Sequence, residues 1–507
     1  MSFEPSYEKI VSSYRRRIGE MQTIVECKLP IVSDSVASKV LVANVAINNI
    51  TGTASGNAVM LDGVAKAQVM YVAEDGGYRS MDYTIEFKDK YLTEADVDAS
   101  EIIARADIVD VNYAIDGNMI RVTGVANITI DGIYNDNVNA LISTNSEDVF
   151  SKMEEIGYLN FLGIAQEKFD VSSDYVIQDA VLDVLSVCPS VYIDRVEPMD
   201  NYAKITGYVN VITTYSTNGD NSTLRTHTTS FDFTQEVALT GITESSRIES
   251  VINIQYSNIA LNTNIEADTT AITINMPLDY MGYVWNNKII DVVSDLYSTT
   301  NLLTCNTVSF NTFEIDNPIV TSSRLSGMIS LMDNEPAIDE ILGVTCSNAV
   351  VAGTNLSGDT LTVDGVAYIN VLYRNTDLGA TFANMVQLPF SVDVRGVDAN
   401  SMADVTAQLQ NITAKARRGV EIEIMGDIIV NATMYRDGTQ AVIDSVAIGE
   451  EKIDNDYCMS IYFAKSGDTV WDIAKKMSVS EDAILAQNQD LTLPIQEGER
   501  IVVYRQS

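Results

Sequence analysis

Asn57-Ala-Val-Met-Leu-Asp-Gly-Val-Ala-Lys-Ala-Gln-Val-Met-Tyr71 returns later in the chain as Asp359-Thr-Leu-Thr-Val-Asp-Gly-Val-Ala-Tyr-Ile-Asn-Val-Leu-Tyr373. Both copies alternate apolar and polar residues, the period of a half-buried antiparallel strand. A looser copy, Tyr202-Ala-Lys-Ile-Thr-Gly-Tyr-Val-Asn-Val-Ile-Thr-Thr-Tyr215, keeps the same spacing from Gly to Tyr: Gly63/Tyr71, Gly207/Tyr215, Gly365/Tyr373. A second block fixes the register. Ile120-Arg-Val-Thr-Gly124 matches Ile422-Glu-Ile-Met-Gly426 at an offset of 302 residues, the offset that separates Gly63 from Gly365. In the middle copy Ala271-Ile-Thr-Ile-Asn-Met276 stands in the equivalent place. Two motifs at one offset mark tandem repetition. The reading is a mainly β chain with three homologous antiparallel β modules, sandwich or barrel-like, at 23–140, 172–300 and 325–447.

Turn signals separate the strands, including Asp75-Gly76-Gly77, Asp116-Gly117 and Asn218-Gly219-Asp220, and only nine prolines interrupt the chain. A Gly inside a strand pattern marks a bulge or a close approach of neighbouring groups. Gly63, Gly207 and Gly365, with Tyr71, Tyr215 and Tyr373, therefore read as structural. Two segments look helical. Residues 5–21 place Ile10, Tyr14 and Ile18 on one stripe, giving an N-terminal helical segment over 1–22. Ser146–Gly157 places Val149, Met153 and Ile156 at helical spacing behind a Ser146 N-cap, giving a connecting helix within a 141–171 linker.

Composition removes several function classes. The chain carries 32 Lys+Arg against 70 Asp+Glu, a formal net charge of −38, and 46% of its residues are hydrophobic. Sequence-independent nucleic-acid binding needs clustered cations; the one basic run, Arg15-Arg16-Arg17, reads as a solvated helix face. The single histidine, His227, lies in a Thr-rich stretch and reads as an exposed strand residue, which leaves little for His-dependent catalysis or metal binding. The five cysteines (Cys27, Cys188, Cys305, Cys346 and Cys458) lack paired spacing and read as reduced small hydrophobes. No cofactor is expected. With no Sec-type leader and no long apolar run, a reducing cytoplasm is the expected compartment.

The last fifty residues, 458–507, change character to strand, helix, helix, strand. Ser460–Phe463 is a short strand, and Asp468 or Thr469 caps a helix whose Val470, Ile473, Ala474 and Met477 share a face. A second helix starts at Ser480, with Val479 and Ile484 as a hydrophobic staple and Ile484 and Leu485 facing inward. Gly498–Tyr504 turns into a closing strand.

This segment resembles a LysM domain, a small βααβ module that commonly binds N-acetylglucosamine polymers such as peptidoglycan. The carrying residues are Tyr462-Phe-Ala-Lys-Ser-Gly-Asp-Thr-Val-Trp-Asp-Ile-Ala-Lys-Lys476, Val479–Asn488 and Gly498-Glu-Arg-Ile-Val-Val503. The resemblance implies a ligand groove between two loops. Gly467, Asp468, Thr469 and Val470 line one side; Asn488, Gln489, Leu491, Leu493 and Pro494 line the other. Glu497 stands where the family usually has Pro. Three modules with the (Val/Ile)-x-x-Gly-(Val/Tyr)-(Ala/Val)…Tyr pattern, closed by a LysM, resemble the SPOCS-domain proteins of endospore-forming bacteria. That likeness implies a non-catalytic adaptor of spore-coat assembly in the mother-cell cytoplasm, at the forespore outer surface. Its LysM would engage the coat morphogenetic ATPase (spore stage IV protein A) or other coat proteins. The alternative is a peptidoglycan-binding wall or cortex protein. An enzyme is the weakest reading, since three copies of one β module are not a hydrolase domain, and neither nucleic acid nor a membrane span is expected.

Overall fold

The computed structural model of the chain describes residues 3–31, 36–217, 223–266, 268–332, 334–452 and 459–504. The repeated segment is the middle strand of a sheet in every module. In module one β1 (Glu4–Pro30), β2 (Ala37–Ala54), β3 (Ala58–Ala73), β4 (Tyr78–Leu92), β5 (Glu101–Asp116) and β6 (Met119–Asn145) form two antiparallel sheets, ordered β2-β3-β4 and β1-β6-β5. Module two repeats the plan with β7 (Val149–Ile177), β8 (Val181–Met199), β9 (Tyr202–Thr217), β10 (Leu224–Ala238), β11 (Arg247–Ile254), β12 (Ala260–Glu266) and β13 (Thr269–Ser298). Here β11 and β12 share one edge of β13, and β7 takes the other. Module three has β14 (Asn301–Ile315), β15 (Ile319–Ser330), β16 (Glu340–Ser357), β17 (Thr360–Asn375), β18 (Ala380–Arg395), β19 (Met402–Arg417) and β20 (Glu421–Glu451). Its first strand is split at Asp316-Asn317-Pro318, where proline cannot donate to the ladder. The turn signal at 218–220 lies outside the described residues.

Each module is a sandwich. Alternate residues of β3 and β6 point between the sheets, so Val59, Leu61, Ala65, Ala67 and Val69 meet Ile120, Val122, Ala126, Ile128 and Ile130 in one core. Modules two and three build the same core from Ala203–Tyr215 with Ile272–Leu278, and from Leu361–Tyr373 with Ile422–Met434. Burying one such aliphatic side chain stabilises by roughly 1.5–3 kcal/mol.

The repeated glycine sits beneath a cross-strand phenylalanine. Gly63 pairs with Phe87, Gly207 with Phe233 and Gly365 with Phe390. A Cβ at Gly365 would lie 2.3 Å from Phe390 Cζ and 2.4 Å from the Val350 carbonyl oxygen. At Gly207 it would lie 2.1 Å from the Tyr192 carbonyl oxygen. The partner tyrosines Tyr71, Tyr215 and Tyr373 are buried, 3%, 3% and 1% exposed. Gly365→Ala is therefore expected to destabilise the protein by about 1–3 kcal/mol, the usual penalty of overpacking. An unchanged urea midpoint would show that the ring and carbonyl can withdraw freely.

The outer strands continue past each sandwich as three long two-stranded ribbons: β1 with β6, β7 with β13, and β14 with β20. Their equivalent residues converge in three successive layers. Ile133, Trp285 and Tyr435 share one layer, Ala140, Val292 and Val442 the next, and Leu141, Val293 and Ile443 the third. In every trio the first and last members differ by 302 positions, so the ribbons form a stem with pseudo-threefold symmetry. Trp285 is fully buried there, its ring 4.9 Å from Phe161 and 5.4 Å from Phe313. A separate cluster including Leu41, Leu185 and Leu372 joins the three modules again, away from the stem.

The stem overturns both helical expectations. Residues 5–21 belong to β1 and 149–157 to β7; only a turn at 147–148 separates β6 from β7. A spacing of four is shared by both periods, because residues i, i+4 and i+8 also lie on one face of a strand. Within the second expected stripe Ile156 is buried while Met153 is 47% exposed, because positions three apart point to opposite faces of a strand. The 141–171 linker is accordingly continuous sheet, and the sheets of the three modules extend beyond the repeated segments into the stem. Arg15 is not on a solvated face either; it is 2% exposed at the module junction. His227 is half-buried rather than exposed, stacked on Tyr175 at 5.5 Å, and burial lowers its pKa.

Cys188 of β8 and Cys346 of β16 form a disulfide between modules two and three, their Cα atoms 5.8 Å apart. This corrects the expectation of five reduced thiols. The two lie 158 residues apart in sequence, but the threefold arrangement brings their strands together. Cys27 and Cys305 are free thiols, and burial pushes Cys27 up to about 11.

Candidate functional site

The C-terminal unit has the βααβ order β21 (Met459–Phe463), α1 (Val470–Met477), α2 (Glu481–Gln487), β22 (Arg500–Tyr504), with β21 antiparallel to β22. Thr469 closes a capping box with Asp472, and Ser480 accepts from Ala483 N. Trp471, Ile473, Ala474, Ile484, Ile501 and Val503 form the core. Leu485, expected to face inward, is 40% exposed. In a helix of only seven residues Ile484 alone faces the core and the next position points away.

The two loops expected to form a groove divide into pins and free surface. Asp468 accepts from Tyr462 Oη (2.7 Å) and Lys465 N (2.8 Å), and these bonds hold its carboxyl below the usual range. Asn488 is fully engaged: it accepts from Val502 N and donates to the Ile484 and Val502 carbonyls, each at 2.8 Å. Thr469 caps α1, while Val470 and Leu491 pack partly against the core. What remains open is Gly467, with no neighbour within 4 Å of a built Cβ, together with Gln489, Leu493 (63% exposed) and Pro494, across the cis Leu493–Pro494 bond. Exposed apolar side chains beside an open glycine backbone suit a sugar face with its N-acetyl group, or an extended peptide.

A different side of the unit rests on the stem, a contact that sequence reading did not find. Trp471 Nε1 donates to Asp295 Oδ2 (2.8 Å), Lys475 Nζ to Asp295 Oδ1 (2.6 Å), and Tyr297 Oη to the Val479 carbonyl (2.7 Å). Tyr297 meets Trp471 edge-on at 5.0 Å and stacks on Phe150. Lys452 bridges Ser478 Oγ (2.8 Å) and the Ser298 carbonyl (2.5 Å). These residues look like ordinary strand and helix positions until both elements are placed.

Burial alone would raise the Asp295 carboxyl, but its bonds from Lys475 and Trp471 outweigh this and leave it lowered. A depressed folded value stabilises the contact above the unfolded pKa of about 3.9, and that contribution is lost as pH falls through the folded value. The docking contact should therefore be pH-independent near neutrality and loosen only below about pH 4. Accessibility of Trp471 to iodide between pH 7 and 3 tests this; a transition centred near pH 6 would contradict it.

Residues 462–503 match the family model of the LysM domain, and residues 180–262 match that of the SipL SPOCS domain. The chain carries both a SPOCS domain and a LysM domain. No curated protein and no solved structure matches it. SPOCS and LysM domains are non-catalytic binding domains, and together they fit a spore-coat-associated adaptor. The SPOCS match covers β9 and β10, including Gly207, Tyr215 and Phe233, so the glycine under its phenylalanine falls inside it. Among the described residues no group of three or more His, Cys, Asp and Glu side chains could hold a metal ion. No described helix is long and apolar enough to cross a membrane.

Proposed function

We propose that the chain is a structural adaptor of the endospore coat, anchored at the forespore outer surface on the mother-cell side. Its LysM groove captures the coat morphogenetic ATPase. The observation that carries this reading is the way the LysM is presented. Trp471, Lys475 and Val479 fasten the unit to the stem, while Gly467, Gln489, Leu493 and Pro494 stay exposed. A fixed module with an open groove suits a scaffold, because holding it rigid lowers the entropy lost on capture. Three acidic sandwiches, carrying 27 basic and 63 acidic residues over 1–457, keep the body apart from other copies by repulsion.

The second reading is glycan binding, favoured by the LysM match itself. Full-length protein with Leu493→Asp and Gln489→Ala separates the two. Loss of at least tenfold in ATPase capture, with peptidoglycan retention absent in both forms, supports the adaptor. Retention on peptidoglycan that the variant abolishes, with no ATPase captured by either form, supports the glycan reading.

A further inference from the structure

A cavity of about 900 Å³ opens where the three modules meet beside the stem. It is walled by β2 and β5 of module one, β8 and β11 of module two, and β15, β19 and β20 of module three. Its size is within the range of sites that take peptides or cofactors rather than a few waters. Two features of the wall say what would occupy it.

The first is backbone. Ile193 to Met199 of β8 and Ser246 to Val251 at β11 line the cavity as consecutive residues, not alternate ones. A strand that shows every residue presents its edge, since a face would show every second one. β8 pairs only with β9, and β11 only with β13, so among the described strands each keeps one edge without a ladder.

The second is charge. Seven carboxylates and three guanidinia line the cavity. Glu249 and Asp404 are held by Arg15 and Arg105, Glu197 by Arg195, and Asp316 by Arg436. Asp107, Asp194 and Glu244 form no ion pair with any described residue, and only Arg247 stands unpaired against them. Asp107 is solvent-accessible yet burial raises its carboxyl, as expected for a group facing an enclosed space. A simple polyamine could answer the carboxylates but not a strand edge, whereas a peptide backbone supplies both donors and acceptors to the free edges of β8 and β11.

We infer that this cavity is a second binding site, for an extended lysine- or arginine-bearing peptide segment that adds to the free edge of β11 or β8. Backbone bonds give such a strand its affinity, and side chains reaching Asp107, Asp194 and Glu244 give it a preference for cations. The inference is independent of what the LysM groove binds.

The test is fluorescence anisotropy with full-length protein and labelled Ac-Lys-Thr-Lys-Thr-Lys-amide. One saturable site is expected, with at least tenfold weaker binding of the Glu-for-Lys peptide. Asp107→Asn with Asp194→Asn should weaken binding at least tenfold, whereas Glu86→Gln with Asp116→Asn on the outer surface should leave it unchanged. If circular dichroism shows the first pair misfolded, Glu244→Gln takes its place with a threefold or larger loss expected. Equal losses in cavity and surface variants would reduce the effect to the general acidic field. Full competition by spermidine at equal affinity would make it a small-cation site, and either result, or the absence of saturable binding, overturns the inference.

Discussion

Arg15→Ala will destabilise the three-module body by about 3–5 kcal/mol, the usual loss when one partner of a buried charge network is removed. Arg15 stands on β1, but its guanidinium donates to Glu249 of module two (3.0 and 3.1 Å) and lies near Asp404 of module three (3.6 Å). It also faces Asp131 of its own module (3.8 Å) and lies 4.6 Å from the centre of the Tyr435 ring. Burial works against its charge, but Glu249 and Asp131 outweigh that and hold the guanidinium above its ordinary value. Most of the loss in the variant comes from Glu249 and Asp131, carboxylates with side chains 10% and 3% exposed, left without this counter-ion. Arg17 would still pair with Asp131, and the Arg105 guanidinium would still act on both carboxylates. Urea unfolding followed by circular dichroism reads the effect. A shift under about 1 kcal/mol would mean that water reaches the network easily, and the three modules would then not depend on this contact.

Tyr297→Ala will release the LysM from the stem without altering its fold, at an expected loss of about 3 kcal/mol, near the lower end for truncating a buried aromatic. Tyr297 is 4% exposed, and it supplies the stacked ring, the edge contact to Trp471 and the bond to Val479. The chain has two tryptophans, and Trp285 is sealed in the stem. Iodide should therefore quench about half the emission of the variant and little of the parent's. Parent-like quenching would show that Asp295 and Lys452 hold the LysM without Tyr297.

The repeat was legible because period-two alternation and a constant offset survive as plain letters. The glycine was recognisable as structural, although the covering Phe87, Phe233 and Phe390 lie on other strands and became visible only with register. The LysM was legible almost residue by residue. The stem was not. Its ribbons place apolar residues at spacings compatible with a helix, and its layers are trios drawn from three distant segments. Arg15 was unreadable for the same reason: its partners lie 116, 234 and 389 positions away, and an Arg-Arg-Arg run normally stays in water. Among the groove residues, sequence could not separate pins such as Asp468 and Asn488 from open positions such as Gln489 and Leu493, since that division depends on the hydrogen bonds each loop makes with itself.

The central claim is that the stem holds the LysM so that its groove does the capturing. The most direct measurement is pull-down of purified coat morphogenetic ATPase, beside purified peptidoglycan, by full-length protein and by its Leu493→Asp variant. The account predicts that the parent retains the ATPase and that the variant loses at least tenfold of that capture while keeping its circular dichroism and melting temperature. Undiminished ATPase capture by the variant, or retention on peptidoglycan alone, would contradict it.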